Sequence, residues 1–165
     1  MERSEFLELF DAHHLPVYRF ALRLTGSVAD AEDIVQECFL GLLKPSCSYD
    51  PKRAPLRTWL FGAAWKQYLK RTSRQVSTAP MSTPSTPENE TFQSEMRDAV
   101  AGAIAQLPEA QRAVLILACY EQMPLAEIAR LLDIEPGAVK MRLQRARGQL
   151  KEQLSAYAPG GKEIA

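Results

Sequence analysis

Residues 123–147, MPLAEIARLLDIEPGAVKMRLQRAR, read as two short helices around a tight turn. Leu125, Ile128, Ala129 and Leu132 fall on one helical face, the pattern a small domain needs to bury its first helix. Pro124 and Pro136 stand where helices start, because a first turn can spare the missing N–H. Asp133 occupies the turn, where left-handed geometry favours Gly but tolerates Asp or Asn. Between Gly137 and Lys151 there are five Lys or Arg and no acid. Such a pattern predicts a helix-turn-helix whose second helix meets phosphates and base edges in a major groove.

On that second helix Val139, Leu143, Ala146, Leu150 and Leu154 make the apolar stripe. Lys140, Gln144, Arg147 and Lys151 flank one side of it, and Arg142 and Arg145 lie toward the other. Charge alone fits an ordinary bundle helix with a solvated basic face. The turn and first helix in front of it weigh against that reading. Arg and Gln reach base edges, whereas Lys mostly positions against phosphate.

The chain has 165 residues, with 20 basic and 20 acidic side chains, so no general polyanion-binding field surrounds it. Basic charge is clustered locally, which predicts weak DNA affinity alone and binding helped by a partner. Three scattered cysteines, Cys38, Cys47 and Cys119, form no CxxC and accompany no paired His spacing. They read as reduced thiols of a cytosolic protein, not as a disulfide frame or zinc site. The longest apolar run, Ala113 to Tyr120, is too short to span a bilayer. The acidic start, MERSEFLELF, shows no signal-peptide pattern. A soluble, cytoplasmic chain without membrane insertion is expected.

Residues 73–94, SRQVSTAPMSTPSTPENETFQS, are more than half Ser, Thr and Pro. With almost no apolar anchor they cannot offset their ordering entropy, so they read as a flexible tether. As a coil its ends would sit roughly 26 Å apart, and fully stretched it would reach about 75 Å. It separates a first helical lobe, residues 1–72, from a second, residues 95–157, with a tail at 158–165. The first lobe reads as three helices. Phe6, Leu9, Phe10, His13, Val17, Phe20, Ala21 and Leu24 keep one stripe, with Pro16 expected to kink it. Ser27 with Asp30 signals the next start, and that helix runs to Lys44-Pro45. A third helix spans about Pro55 to Thr72. In the second lobe, helices near Glu95–Gln106 and on to about Tyr120, broken at Leu107-Pro108, precede the helix pair. The predicted fold class is all-α, two small helical domains joined by a flexible linker.

Along DAEDIVQECFLGLL, residues 30–43, Asp30, Asp33 and Glu37 project from one face, opposite Ala31, Val35, Cys38, Phe39 and Leu42. Ile34 and Leu40 border the acidic ridge. Such a strip suits docking onto a basic protein helix, and equally suits a solvated face near a helix N-terminus. The third helix, PLRTWLFGAAWKQYLKRTSR, has more aromatics than a small lobe readily buries. Phe61 and Leu69 are expected in the core. Trp59, Trp65 and Tyr68, interleaved with Lys66, Lys70, Arg71 and Arg74, fit either two-sided packing or stacking on unpaired bases. His13-His14 has no convergent acid or Cys and reads as a partly buried helix pair. No Ser/His/Asp pattern, glycine-rich phosphate loop or metal spacing supports catalysis, so neither enzyme activity nor a cofactor is expected.

Three segments stand in order: YRFALRLTGSVADAEDIVQECFLGL, YDPKRAPLRTWLFGAA and LPEAQRAVLILACYEQMPLAEIARLLDIEPGAVKMRLQRAR. In them the chain resembles the extracytoplasmic-function (ECF) sigma factors, the small promoter-recognition subunits of bacterial RNA polymerase. This resemblance implies that the first lobe binds core polymerase through Asp30, Asp33, Gln36 and Glu37. It implies that the third helix and its preceding loop engage and melt the −10 element, here through Trp59, Trp65, Lys66, Tyr68, Lys70 and Arg71. It implies that the helix-turn-helix enters the −35 element through Lys140, Arg142, Gln144, Arg145 and Arg147. An anti-sigma factor is an implied partner. The chain departs from the family at Trp65-Lys66 and Lys70-Arg71, and at Ala138 and Met141, where a Thr and a Ser are usual.

Two other classes compete with that function. A polymerase-independent helix-turn-helix regulator would bind duplex alone, as a dimer on paired half-sites. A sigma mimic acting purely by protein interaction would have no need of the basic helix.

Overall fold

The computed structural model describes residues 2–74 and 92–155, and among these residues there is no β-strand. The described residues hold seven α-helices and one π-helical turn, and the chain divides into two compact units. The first holds α1 (Arg3–Thr25), α2 (Val28–Leu43) and α3 (Leu56–Arg74), each packed on the other two. The second holds α4 (Phe92–Gln106), α5 (Glu109–Leu115), the π turn (Ile116–Tyr120), α6 (Leu125–Leu132) and α7 (Pro136–Gln153). Helix thus extends into both ends of the stretch expected to be tether. Residues 75–91 and the tail from 156 lie outside the described residues.

Helix α1 continues through Pro16, which lies inside it. Proline removes one hydrogen bond there, while Val17, Phe20, Ala21 and Leu24 bury the next two turns against the unit's core. Gly26 ends the helix with φ 69° and donates its N–H to the Leu22 carbonyl at 2.7 Å, a left-handed cap. Ser27 then caps α2, its Oγ accepting from the Asp30 N–H at 3.3 Å. Two helices therefore meet in a corner of two residues, Gly26 and Ser27.

The core of this unit is Phe20 against Phe61, edge to face at 5.2 Å, surrounded by Leu24, Ile34, Cys38, Leu60 and Ala64. Ile34 is fully buried, so it does not border the acidic ridge, whereas Leu40 is exposed beside it. Tyr68 is buried (5 % exposed) and Leu69, expected inside, is 40 % exposed. The reason is register. Buried α3 positions are Leu60, Phe61, Ala64 and Tyr68, an arc of about 100° at about 100° per residue, and Leu69 lies about 80° beyond its Phe61 edge.

In the second unit Arg112 ties α5 to the end of α4. Its guanidinium donates to the carbonyls of Ile104, Ala105 and Leu107 at 3.2, 2.8 and 2.8 Å. They lie at and just past the end of α4, where helix carbonyls run out of intrahelical partners. The run expected as one helix to Tyr120 widens instead into a π turn, closed by Glu121 N–H on Ile116 carbonyl at 3.2 Å. Gln122, at φ 52°, then reverses the chain toward α6.

Candidate nucleic-acid and partner interfaces

Helix α6 closes as the sequence predicts. Asp133 adopts φ 56° and ψ 51°, its N–H on the Arg130 carbonyl at 3.4 Å, and Ile134 N–H reaches the Ala129 carbonyl at 3.0 Å. This paired closure is a Schellman motif, and a short polar side chain tolerates the left-handed geometry it needs. Pro136 starts α7 at once. Ile128, Ala129 and Leu132 are buried and α6 packs on α7. Leu125 was expected on the same buried face but is exposed; it sits in the first turn of a two-turn helix, beyond its cover.

Helix α7 buries Val139, Leu143 and Ala146, with Leu150 and Leu154 half-buried. Lys140, Gln144, Arg145 and Arg147 are exposed and Arg142 is half-buried. The five candidate −35 residues thus share one helix but not one environment. Arg147 rests toward the π turn, its Nη2 4.0 Å from Cys119 Sγ. Met141, which sequence reading treated only as a lost hydroxyl, is half exposed on the same helix.

In the first unit, capping by Ser27 sets the phase of α2. Asp33, Gln36 and Glu37 are exposed and Asp30 is half-buried. Residues expected to serve different partners meet here. Arg71 of α3 pairs with Asp30 at 3.3 Å and with Asp33 at 3.5 Å. Asp30 also stands in the first turn of α2, where the helix dipole favours negative charge.

The aromatic set does not form one platform. Trp65 stacks on Tyr68 with centroids 5.6 Å apart, and Tyr68 is buried, so its ring is not open to a base. Trp65 keeps a half-buried position beside it. Trp59 turns elsewhere, its ring 5.9 Å from that of Tyr49, in the loop before α3. Tyr49 was missed in the sequence, where only its place in the YDPKRAP loop marks it. Lys66 and Lys70 are exposed.

The Cys38 thiol sits in an unreactive environment. Burial, reinforced by the charge of Glu37, pushes the Cys38 thiol up from 9.0 to about 12. All three cysteines are free, and among the described residues no His, Cys, Asp and Glu cluster could hold a metal ion. His14 is spent locally, with Nδ1 2.8 Å from the Phe10 carbonyl and its ring stacked on Phe10. No described helix is long and apolar enough to cross a membrane.

Residues 9–78 match the family model for sigma-70 region 2, and residues 97–150 match that for sigma-70 region 4. The ECF RNA polymerase sigma factor SigL of Mycobacterium tuberculosis is 40% identical over 150 residues, covering 84% of this chain and 82% of its own length. SigW of Bacillus subtilis is 27% identical over 170 residues, covering 93% of this chain and 90% of its own. Among solved structures, the sigma factor RpoE of Bartonella quintana, in complex with the anti-sigma factor NepR, aligns with a TM-score of 0.72. That alignment covers 93% of this chain and 99% of that one at 18% identity, a likeness of fold. With both sigma-70 regions in order and a relative this similar over most of its length, the chain belongs to the ECF sigma factors of RNA polymerase.

Proposed function

We infer that this chain binds core RNA polymerase, directs it to a set of promoters and assists opening of the duplex. One observation carries the reading: the sigma-70 region 2 match at residues 9–78 takes in the acidic α2 and the aromatic α3, and the region 4 match at 97–150 takes in most of the basic α7, in a chain 40% identical to SigL over 84% of its length. Asp30, Asp33, Gln36 and Glu37 form the docking ridge for core polymerase. Trp59, Trp65, Lys66, Lys70 and Arg71 meet the −10 strand as it unpairs, with Tyr68 holding Trp65 in place from beneath. Lys140, Arg142, Gln144, Arg145 and Arg147 address the −35 duplex.

The domain division follows: residues 1–72 and 95–157 each hold one promoter element, and 73–94 tether them. Once polymerase fixes the spacing, the second contact becomes intramolecular and gains from effective concentration. The chain itself makes and breaks no bonds, and its place of work is the cytoplasm. An anti-sigma factor is the expected antagonist, by analogy with the complexed relative of the same fold. A zero net charge disfavours the rival, a regulator that binds duplex without polymerase.

The test is promoter-dependent transcription with purified core polymerase and the full chain. Stimulation from a subset of promoters in the source genome is the expected result. A folded sample that stimulates none, or that shifts promoter duplex alone as a dimer, would replace this reading with the rival.

A further inference from the structure

The outward face of α7 is not uniformly basic. Opposite buried Val139, Leu143 and Ala146 run Gly137, Met141, Gln144, Arg145 and Gly148, at i, i+4, i+7, i+8 and i+11. Gly137 and Gly148 leave open space where a Cβ would stand. Met141 is therefore the large apolar group at the middle of this face, 50% exposed, with exposed Lys140, Gln144 and Arg145 around it. The core does not use it.

We propose that Met141 is a specificity-determining residue, packing against the 5-methyl group of a thymine in the −35 element. The inference rests on the sigma-factor reading, which lays this face in the major groove. There, guanine, cytosine and adenine present only donors and acceptors, and thymine adds the groove's single apolar group. A thioether is at best a weak acceptor. Against a polar base edge it would strip water and return no hydrogen bond, a net cost. Against a methyl it gains contact and removes apolar surface from water. An unbranched chain with three rotatable bonds can follow the methyl's position in the groove. The bare backbone at Gly137 and Gly148 lets the duplex approach closely on either side. Neighbouring Gln144 and Arg145 supply the polar half of the readout.

The experiment selects active promoters from a library randomised across the −35 region, using holoenzyme assembled with the wild-type chain, Met141→Ser or Met141→Leu. Wild type and Met141→Leu should share a position fixed as a T·A pair, and Met141→Ser should relax it. Deoxyuridine in place of that thymine should then weaken wild-type and Met141→Leu holoenzyme about threefold to fourfold, the worth of one methyl, and leave Met141→Ser unchanged. Identical selected sequences for all three chains, or an equal uracil penalty in Met141→Ser, overturns the assignment while the sigma reading stands. Recovery of no promoter by any chain removes the sigma reading itself. Met141 is exposed, so circular dichroism should show all three chains equally helical.

Discussion

Arg71 stands between Asp30 and Asp33, its two terminal nitrogens 3.3 and 3.5 Å from their carboxylates. One cation from the α3 helix, proposed to meet DNA, thus bridges two acids of the helix proposed to meet polymerase. Arg71 is 28% exposed and Asp33 59%, so solvent screens the contact. Its worth is about 0.2–1 kcal/mol, well below that of a buried pair. The bridge is weak enough to exchange partners. Arg71→Gln should accordingly shift stability by no more than about 1 kcal/mol in a urea titration. It should also release Asp33 for a basic partner and tighten binding to core polymerase a few-fold in a fluorescence titration. Weaker binding would show instead that Arg71 supports the ridge, holding α2 and α3 in register.

Reversing charge on the ridge tests docking directly. Asp33 and Glu37 are exposed, so replacing both by Arg removes no buried contact. Asp33→Arg with Glu37→Arg places two cations where a basic helix would dock, and like charges at an interface cost several kcal/mol. Co-purification with core polymerase should be lost while the helical circular dichroism signal is kept. Undiminished co-purification would move the docking surface off this ridge.

The helix-turn-helix was legible because its signals are local: a proline at each helix start, an Asp where φ is positive, and an apolar stripe on a helical period. The Ser27 cap and the Gly26 stop were legible for the same reason. What escaped was set by tertiary neighbours. Leu69 and Tyr68 adjoin in sequence, yet only the packing of α3 on α1 and α2 decided that Tyr68 goes inside. The Arg71 bridge joins positions 41 apart from Asp30, a distance no periodicity spans. Tyr49 meets Trp59 for the same non-local reason. The π turn at Ile116–Tyr120 was hidden because an unbroken apolar run gives no sign of one extra residue per turn.

Cys38 gives an alkaline signature. Its folded pKa is raised from 9.0 to about 12 by burial first and Glu37 second. Below pH 9 the thiol is protonated in both folded and unfolded chains and contributes no pH dependence. Between 9 and 12 only the unfolded chain releases this proton, so stability falls by about 1.4 kcal/mol per pH unit from this group. Comparing urea midpoints of wild type and Cys38→Ala from pH 8 to 11 isolates it. The variant should start less stable, from the lost packing, and should decline less steeply above pH 9. Parallel curves would mean that the thiol ionises in place.

Arg145 and Lys140 should separate base reading from phosphate binding. Both are exposed on α7, but Arg presents a planar fork able to bond two acceptors of one guanine, whereas Lys is a point charge. Arg145→Ala should lower promoter occupancy by about 1–3 kcal/mol on the preferred −35 sequence and much less on a promoter altered at the contacted base. Lys140→Ala should weaken all sequences alike and reduce the salt dependence of holoenzyme binding by roughly one counterion. Occupancy measured by footprinting across a salt series distinguishes them. If Arg145→Ala leaves the ranking of −35 sequences intact, Arg145 belongs with the phosphate contacts, and base selection passes to Gln144 and the apolar midline of the helix.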